Sequence, residues 1–151
     1  PILHSALAED DPHRRRAAVH ILGSAQNVQE EDVVAIVDAL EYPHYSVRAR
    51  AILVAGKLSL DKALPELLDL LEDEKQVYWL FVEDLPFLAP EGMSRQELAG
   101  FRPSLRSLSV WAIQEITGKD YGYVTAYESR DELAPIIENI RQDLAGENRN
   151  K

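Results

Sequence analysis

Apolar residues recur along this chain at intervals of three and four, the spacing that places side chains on one face of an α-helix. The first amphipathic stretch covers Ile2, Leu3, Ala6 and Leu7, and the acidic turn 9–11 follows it. Further stretches follow, separated by acidic or proline-containing turns. No alternating pattern of comparable strength predicts a β-strand. The hydrophobic pattern therefore predicts an all-α protein.

A nine-residue segment recurs after 33 residues. Arg15–Gly23 and Arg48–Gly56 share an arginine at their first position, an alanine at the fourth and a glycine at the ninth. Repetition at this period is typical of one supersecondary unit stacked on copies of itself. Because one such unit cannot bury its own apolar face, its neighbours must supply the core.

The repeat predicts a single domain over residues 1–151, built as an α–α superhelix of about four helix pairs and a C-terminal helix. The third pair departs from the template, since Tyr78 and Phe81 stand where the signature arginine and alanine are expected. We therefore expect a local distortion between residues 75 and 102. The predicted pairs cover residues 1–25, 29–58, 61–88 and 94–118, and the last helix covers 131–145.

Several residues mark where these helices begin. Asp11 is the predicted N-cap of a helix that starts at Pro12. Ser94 and Glu97 have the spacing of a capping box. Pro103 opens a later helix in which Arg106 takes the signature arginine position.

The same motif stands at 10–18 (DDP, then RxxA), at 47–51 (VRxxA) and at 105–109 (LRxxS). Helix pairs with this motif resemble HEAT repeats, and the subtype they resemble most is that of phycobilisome lyases. The resemblance implies a helical solenoid that holds another molecule. We expect Arg15, Arg48 and Arg106 to be structural, pairing with acidic turns; the alternative is an arginine ladder that faces a ligand.

The charge and the cysteine content of the chain limit the kinds of molecule that it is expected to bind. The 151 residues include 16 basic and 26 acidic side chains, giving a formal net charge of −10, and no cysteine. The negative charge opposes binding to nucleic acid or to anionic membranes. The lack of cysteine excludes disulfides and thiolate metal sites, and the first residues do not have the pattern of a signal peptide. We expect a cytoplasmic protein with no cofactor or metal.

The acidic charge is concentrated in residues 61–100, which carry ten acidic and three basic side chains. One interpretation is a solvated face. The alternative is a docking patch for a basic partner.

No catalytic motif stands out. His13 and His44 occupy turns of neighbouring repeats, where solvated side chains are expected rather than metal ligands. Glu83 and Asp84 are adjacent, and adjacent residues of a helix do not face the same way. We therefore expect a protein that is not an enzyme.

The leading functional hypothesis is a scaffold for a protein or peptide partner, which binds on the second helices of the pairs and involves further repeats or a fused domain. The first alternative is lyase-like or chaperone activity toward bilin chromophores, with Tyr78, Trp79 and Trp111 as contacts. The second is nucleic-acid binding, as in DNA glycosylases built of similar repeats. The candidate partner-binding residues are Arg14, Tyr45, Tyr78, Trp79, Phe87 and Arg102.

Overall fold

The computed structural model describes residues 2–78, 88, 92, 94–100, 102–122 and 130–149. Within these residues the secondary structure is helical except for one isolated β-bridge, so the predicted all-α class is confirmed. The helices are α1 (Ile2–Ala8), α2 (Pro12–Gly23), α3 (Glu30–Ala39), α4 (Tyr45–Lys57), a 3₁₀ turn (Asp61–Ala63), α5 (Leu64–Leu70), α6 (Arg95–Gly100), α7 (Leu105–Thr117) and α8 (Arg130–Arg149).

Helix starts follow local sequence. Asp11 caps α2 by accepting a hydrogen bond from the backbone N–H of His13 at 2.9 Å, as predicted. The predicted capping box before α6 is also present, with the Ser94 N–H donating to Glu97 at 2.7 Å. The Ser94 hydrogen bonds hold the pKa of Glu97 below its usual value. These caps supply partners for amide groups that the first helical turn leaves free.

The second helices of the pairs form one row, in which α2 packs on α4 and α4 packs on α7. Helices α1, α3 and α5 each pack against the second helix of their own pair. The buried aliphatic side chains of these elements form one continuous core. Each pair therefore completes its neighbour's core, as the repeat predicted.

Close approach between neighbouring second helices depends on glycine. A Cβ atom added to Gly23 would lie 2.5 Å from the Cγ2 atom of Val54 in the next second helix. A Cβ atom on Gly56 would lie 2.5 Å from the Cζ3 atom of Trp111 and 3.1 Å from the Cα atom of Ala112. Neither site has room for a side chain, which explains why the repeat carries glycine there.

The third pair differs from the predicted division into 61–88 and 94–118. Helix α7 packs directly on both α4 and α5, so it takes the place that the sequence assigned to a helix within 77–88. Val77 is not helical, and its N–H donates to the carbonyl of Pro103 at 2.7 Å. Most of the predicted helix lies outside the described residues.

Gln76, after α5, and Ser104, before α7, form an antiparallel bridge. The N–H of Leu105 donates to the carbonyl of Lys75 at 2.9 Å and closes the same junction. The segment for which a distortion is predicted, residues 75–102, lies in sequence between α5 and α7, and we call it the excursion. Loss of the arginine and alanine signature after Val77 was the sequence signal for it.

Helix α8 is longer than the predicted 131–145. It buries Leu133, Ile137, Ile140 and Leu144 on one face. Arg141 forms an ion pair with Glu72, the residue that follows the end of α5 by two positions. The last helix thus lies near the C-terminal end of α5.

Candidate functional site

The signature arginines clamp the two helices of each pair together. Arg15 donates from Nε and Nη2 to the carbonyl of Glu9, at 3.2 and 3.0 Å. Its guanidinium also lies over the ring of Tyr42, 3.9 Å from the centroid. These contacts join the start of α2 to the preceding turn and to the next pair.

The other two signature arginines make equivalent contacts. Arg48 donates to the carbonyl of Tyr42 at 2.9 Å and pairs with the carboxylate of Asp73 at 3.0 Å. Arg106 donates to the carbonyl of Leu71 at 2.7 Å and pairs with Glu74 at 3.0 Å. Carbonyl groups at the end of a helix lack intrahelical partners. The expected structural role of these arginines, in which they pair with the turns, is confirmed.

Second helices α4 and α7 are covered on all sides. Every residue from Ala49 to Gly56 is buried, and so is every residue from Leu105 to Ile113. Leu88, within the excursion, also belongs to the core. The second-helix face expected to receive a partner is therefore not open on these two helices. Arg50, in the middle of α4, is buried as well.

Four of the six candidate binding residues lie in the described structure. Each lies in or near a connection between the first and the second helix of a pair. Arg14 is exposed and pairs with Glu9 at 2.7 Å, a contact that raises the pKa of its guanidinium. Tyr45 is half-buried, stacks on His44 and lies 5.4 Å from the Lys75 ammonium, measured from its ring centroid.

Tyr78 is exposed, and its hydroxyl donates to Gln76 at 3.4 Å. Arg102 donates to the carbonyl of Ala99 at 3.1 Å. Trp79 and Phe87 lie outside the described residues. No contact among the described members joins the candidates into one site.

Two further expectations concern aromatic and histidine side chains. Trp111 is buried against Gly56, so the structure contradicts its proposed exposure to a chromophore. His44 caps α4, since its Nδ1 accepts from the N–H of Ser46 at 3.3 Å. In the described part of the chain, no group of three or more His, Asp or Glu side chains is arranged to hold a metal ion.

An acidic cleft lies on the described surface. We use this name for the cavity of about 440 Å³ between the end of α3 and the face of α5. Leu40 and Leu70 form its apolar floor. Its remaining lining residues are charged: Glu41, Arg48, Glu66, Asp69, Glu72, Asp73 and Glu74.

Charges in the acidic cleft are only partly balanced. Arg48 is committed to Asp73, and Glu72 and Glu74 pair with arginines of other helices. Glu41, Glu66 and Asp69 have no side-chain partner among the described residues. The Oε2 atom of Glu66 is fully buried and accepts no hydrogen bond. The cleft therefore presents three uncompensated carboxylates above an apolar floor.

Sequence reasoning located the acidic region but not these residues. Glu66 and Asp69 are three apart on α5, a spacing that places two side chains on one helix face. That spacing was the one feature of the sequence that could have indicated this pair of carboxylates. Glu41 comes from the preceding pair, and only the stacking of pairs brings it to the cleft.

A second polar cluster anchors the C-terminal helix. Asp143 accepts hydrogen bonds from the Lys119 ammonium at 2.7 Å and from the Tyr121 hydroxyl at 2.5 Å. These bonds hold the pKa of Asp143 below its usual range. Burial and the bond to Asp143 raise the pKa of Tyr121 to about 12. The cluster ties the turn after α7 to α8.

The fold defines the class of protein: an α-solenoid of stacked helix pairs with an arginine clamp at each turn. The family of HEAT repeats matches residues 1–78, half of the chain. The chain therefore belongs to the HEAT repeat family, whose members are generally scaffolds for protein interaction. No curated protein matches the chain. Across the described residues, no helix has the length and apolar character to span a membrane.

Proposed function

We propose that this protein is a non-enzymatic interaction module whose acidic cleft binds a basic segment of a partner protein. The observation that carries the proposal is the set of three unpaired carboxylates, Glu41, Glu66 and Asp69, around an apolar floor. Glu66 is the partly buried member of this set, and a buried carboxylate oxygen without a partner is unfavourable unless a cation or donor reaches it. Glu41 and Asp69 are exposed and add negative charge beside it. A bound lysine or arginine supplies both a cation and a donor.

The floor and rim suit an amphipathic cation. Lysine and arginine place their aliphatic stems along apolar surface while the charged head stays in a polar environment. Leu40 and Leu70 would contact the stem, and the carboxylates would receive the head group. The volume of about 440 Å³ exceeds what one such side chain fills, so the cleft suits a short peptide segment rather than a single residue.

The charge of the whole chain favours the same class of partner. A formal net charge of −10 attracts a basic protein over distance and accelerates its association. It opposes contact with phosphate-rich surfaces. Tyr45 contacts Lys75 and Tyr78 donates to Gln76, and these two partners directly follow the cleft residue Glu74 in the sequence. We propose both tyrosines as aromatic contacts at the rim of the cleft.

Selection of peptides on the full chain tests the proposal. A random peptide library is enriched on the immobilised protein, and the enriched peptides are synthesised for calorimetric titration. We expect them to contain lysine or arginine next to apolar residues. We expect Glu66→Gln combined with Asp69→Asn to weaken their binding by about tenfold or more.

A matched variant separates the cleft from general charge. Glu31 and Asp38 are exposed on α3 and lie outside the cleft, and neither is required for the proposed contacts. Glu31→Gln combined with Asp38→Asn removes the same two charges. If both double variants weaken binding equally, or if the enriched peptides are not basic, the cleft is not the binding site.

A further inference from the structure

A second cavity adjoins the acidic cleft along α5. We call it the α5–α8 groove. Its volume is about 440 Å³, and it is lined by α5, the turn after it and α8: Leu68, Asp69, Glu72, Arg141, Leu144 and Ala145. Asp69 and Glu72 also line the acidic cleft, so the two cavities share one wall. Both side chains are exposed, and a ligand can therefore extend across them from one cavity into the other.

The two cavities differ in chemistry. The described lining of the acidic cleft includes six acidic side chains and one basic one. In the α5–α8 groove three of the six lining residues are apolar, and Arg141 pairs with Glu72. Asp69, at the shared wall, is the one carboxylate left over. The groove therefore suits an apolar side chain, whose transfer out of water is favourable, better than a second cation.

Apolar surface lines the groove from both helices. Leu68 of α5 is half-buried, whereas Leu144 of α8 is buried in the core. Arg141 and Ala145 are four residues apart on α8, so they lie on one face of that helix. Ala145 is exposed and has the smallest side chain of the lining. A longer side chain at position 145 would therefore occupy part of the groove.

We propose that the α5–α8 groove binds a bulky apolar residue of the same partner segment whose basic residue occupies the acidic cleft. The inference rests on the function proposed for the cleft and adds a second anchor to it. The shared wall of Asp69 and Glu72 is at most one helix wide, about 10–12 Å. An extended chain rises about 3.3 Å per residue, so the two anchors are two to four residues apart. The partner is thus recognised by a motif of a basic residue and an apolar residue at fixed spacing.

The test uses the full chain and labelled synthetic peptides of defined sequence. Each peptide carries a Lys-Arg pair and one leucine, separated by zero to six serines and made in both orders. Fluorescence anisotropy gives the affinity of each. We expect the tightest binding when leucine is two to four residues from the nearer basic residue. Replacing that leucine by alanine should weaken binding by about tenfold, since a buried leucine side chain contributes at least that much.

Two variants of the same helix locate the apolar anchor. Ala145→Gln fills the groove with a longer polar side chain, leaves the charge unchanged, and should abolish the advantage of leucine over alanine in the peptide. Ala134→Gln is the matched control, because Ala134 is an exposed alanine of α8 about three turns earlier and does not line the groove. It should preserve the full advantage. Equal melting temperatures of both variants and the wild type check that the fold is retained.

A third variant separates failure of this inference from failure of the cleft itself. Glu41→Gln combined with Glu66→Gln changes residues that line the acidic cleft but not the groove. If it weakens all peptides while leucine spacing has no effect, the groove is not an anchor and the function of the cleft stands. If it changes no affinity, both are wrong. Sedimentation showing a dimer that Ala145→Gln dissociates would also overturn the inference, because a second copy would then occupy the groove.

Discussion

Gly56 lies so close to Trp111 that a Cβ atom on the glycine would stand 2.5 Å from Cζ3 of the indole ring. The contact joins α4 to α7 across the 54 residues between Gly56 and Trp111, which include the excursion between Gln76 and Ser104. Gly23 makes the equivalent approach to Val54 one pair earlier. The glycine of the repeat is thus a packing residue, although it also stands near the end of each helix.

This contact predicts the effect of adding one methyl group. Gly56→Ala should lower the free energy of unfolding by about 1–3 kcal/mol through overpacking, even though alanine favours the helix. Gly146→Ala is the control, since no atom lies within 4 Å of its added Cβ in α8, and it should stabilise by up to about 1 kcal/mol. Urea unfolding of both variants measures the difference. Equal shifts would contradict the close packing.

The signature alanine gives a second packing prediction. Ala51 is fully buried in α4, between neighbouring helices of the row. Ala51→Leu adds volume where the helices meet and should destabilise the fold by about 1–3 kcal/mol. Thermal unfolding followed by circular dichroism checks this. An unchanged melting temperature would mean that the helix turns another face to the core.

A buried clamp arginine should contribute more to the free energy of unfolding than an exposed surface arginine. Arg106 is buried and donates to the carbonyl of Leu71 at 2.7 Å. Arg106→Ala should reduce the free energy of unfolding by at least about 1.5 kcal/mol, the lower value for a hydrogen bond to a charged group. Arg14→Ala removes an exposed arginine and should leave the unfolding midpoint unchanged. A comparable loss in both variants would refute the distinction between clamp and surface arginines.

Tyr121 predicts a dependence of stability on alkaline pH. Its pKa is raised to about 12 in the folded chain, against about 10 for an unfolded tyrosine. Ionisation is thus easier in the unfolded state. The stability that this group contributes is fully present below about pH 10 and is lost as the pH rises toward 12. Tyr121→Phe should flatten the decline across that range.

Two measurements check the tyrosine prediction. Denaturant unfolding at several pH values gives the slope for the wild type and for Tyr121→Phe. The difference between their ultraviolet titrations isolates one tyrosinate among the six tyrosines of the chain. A titration of that one group near its ordinary pKa would contradict the hydrogen bond to Asp143.

Local sequence was enough to define the repeating unit. The Arg15–Gly23 and Arg48–Gly56 copies predicted the helix pairs, and Asp11 and Ser94 marked helix starts that the structure retains. These features depend on contacts within a few residues, such as side-chain caps on free amides. The arginine clamp could also be predicted. Arg15 and Arg48 each bind carbonyl groups of the turn that directly precedes their helix. Arg106 instead binds the carbonyl of Leu71, which lies much earlier in the chain.

The local sequence pattern did not predict which helix packs against α5 in the third pair. Spacing assigned the helix at 105–117 to a fourth pair, whereas packing brings it against α4 and α5. The same stacking buries α4 on every side and gathers Glu41, Glu66 and Asp69 at one cleft. Sequence determines the fold of each hairpin through short-range contacts. Which surfaces stay open depends on packing between residues far apart in the chain, and only the tertiary structure decides that.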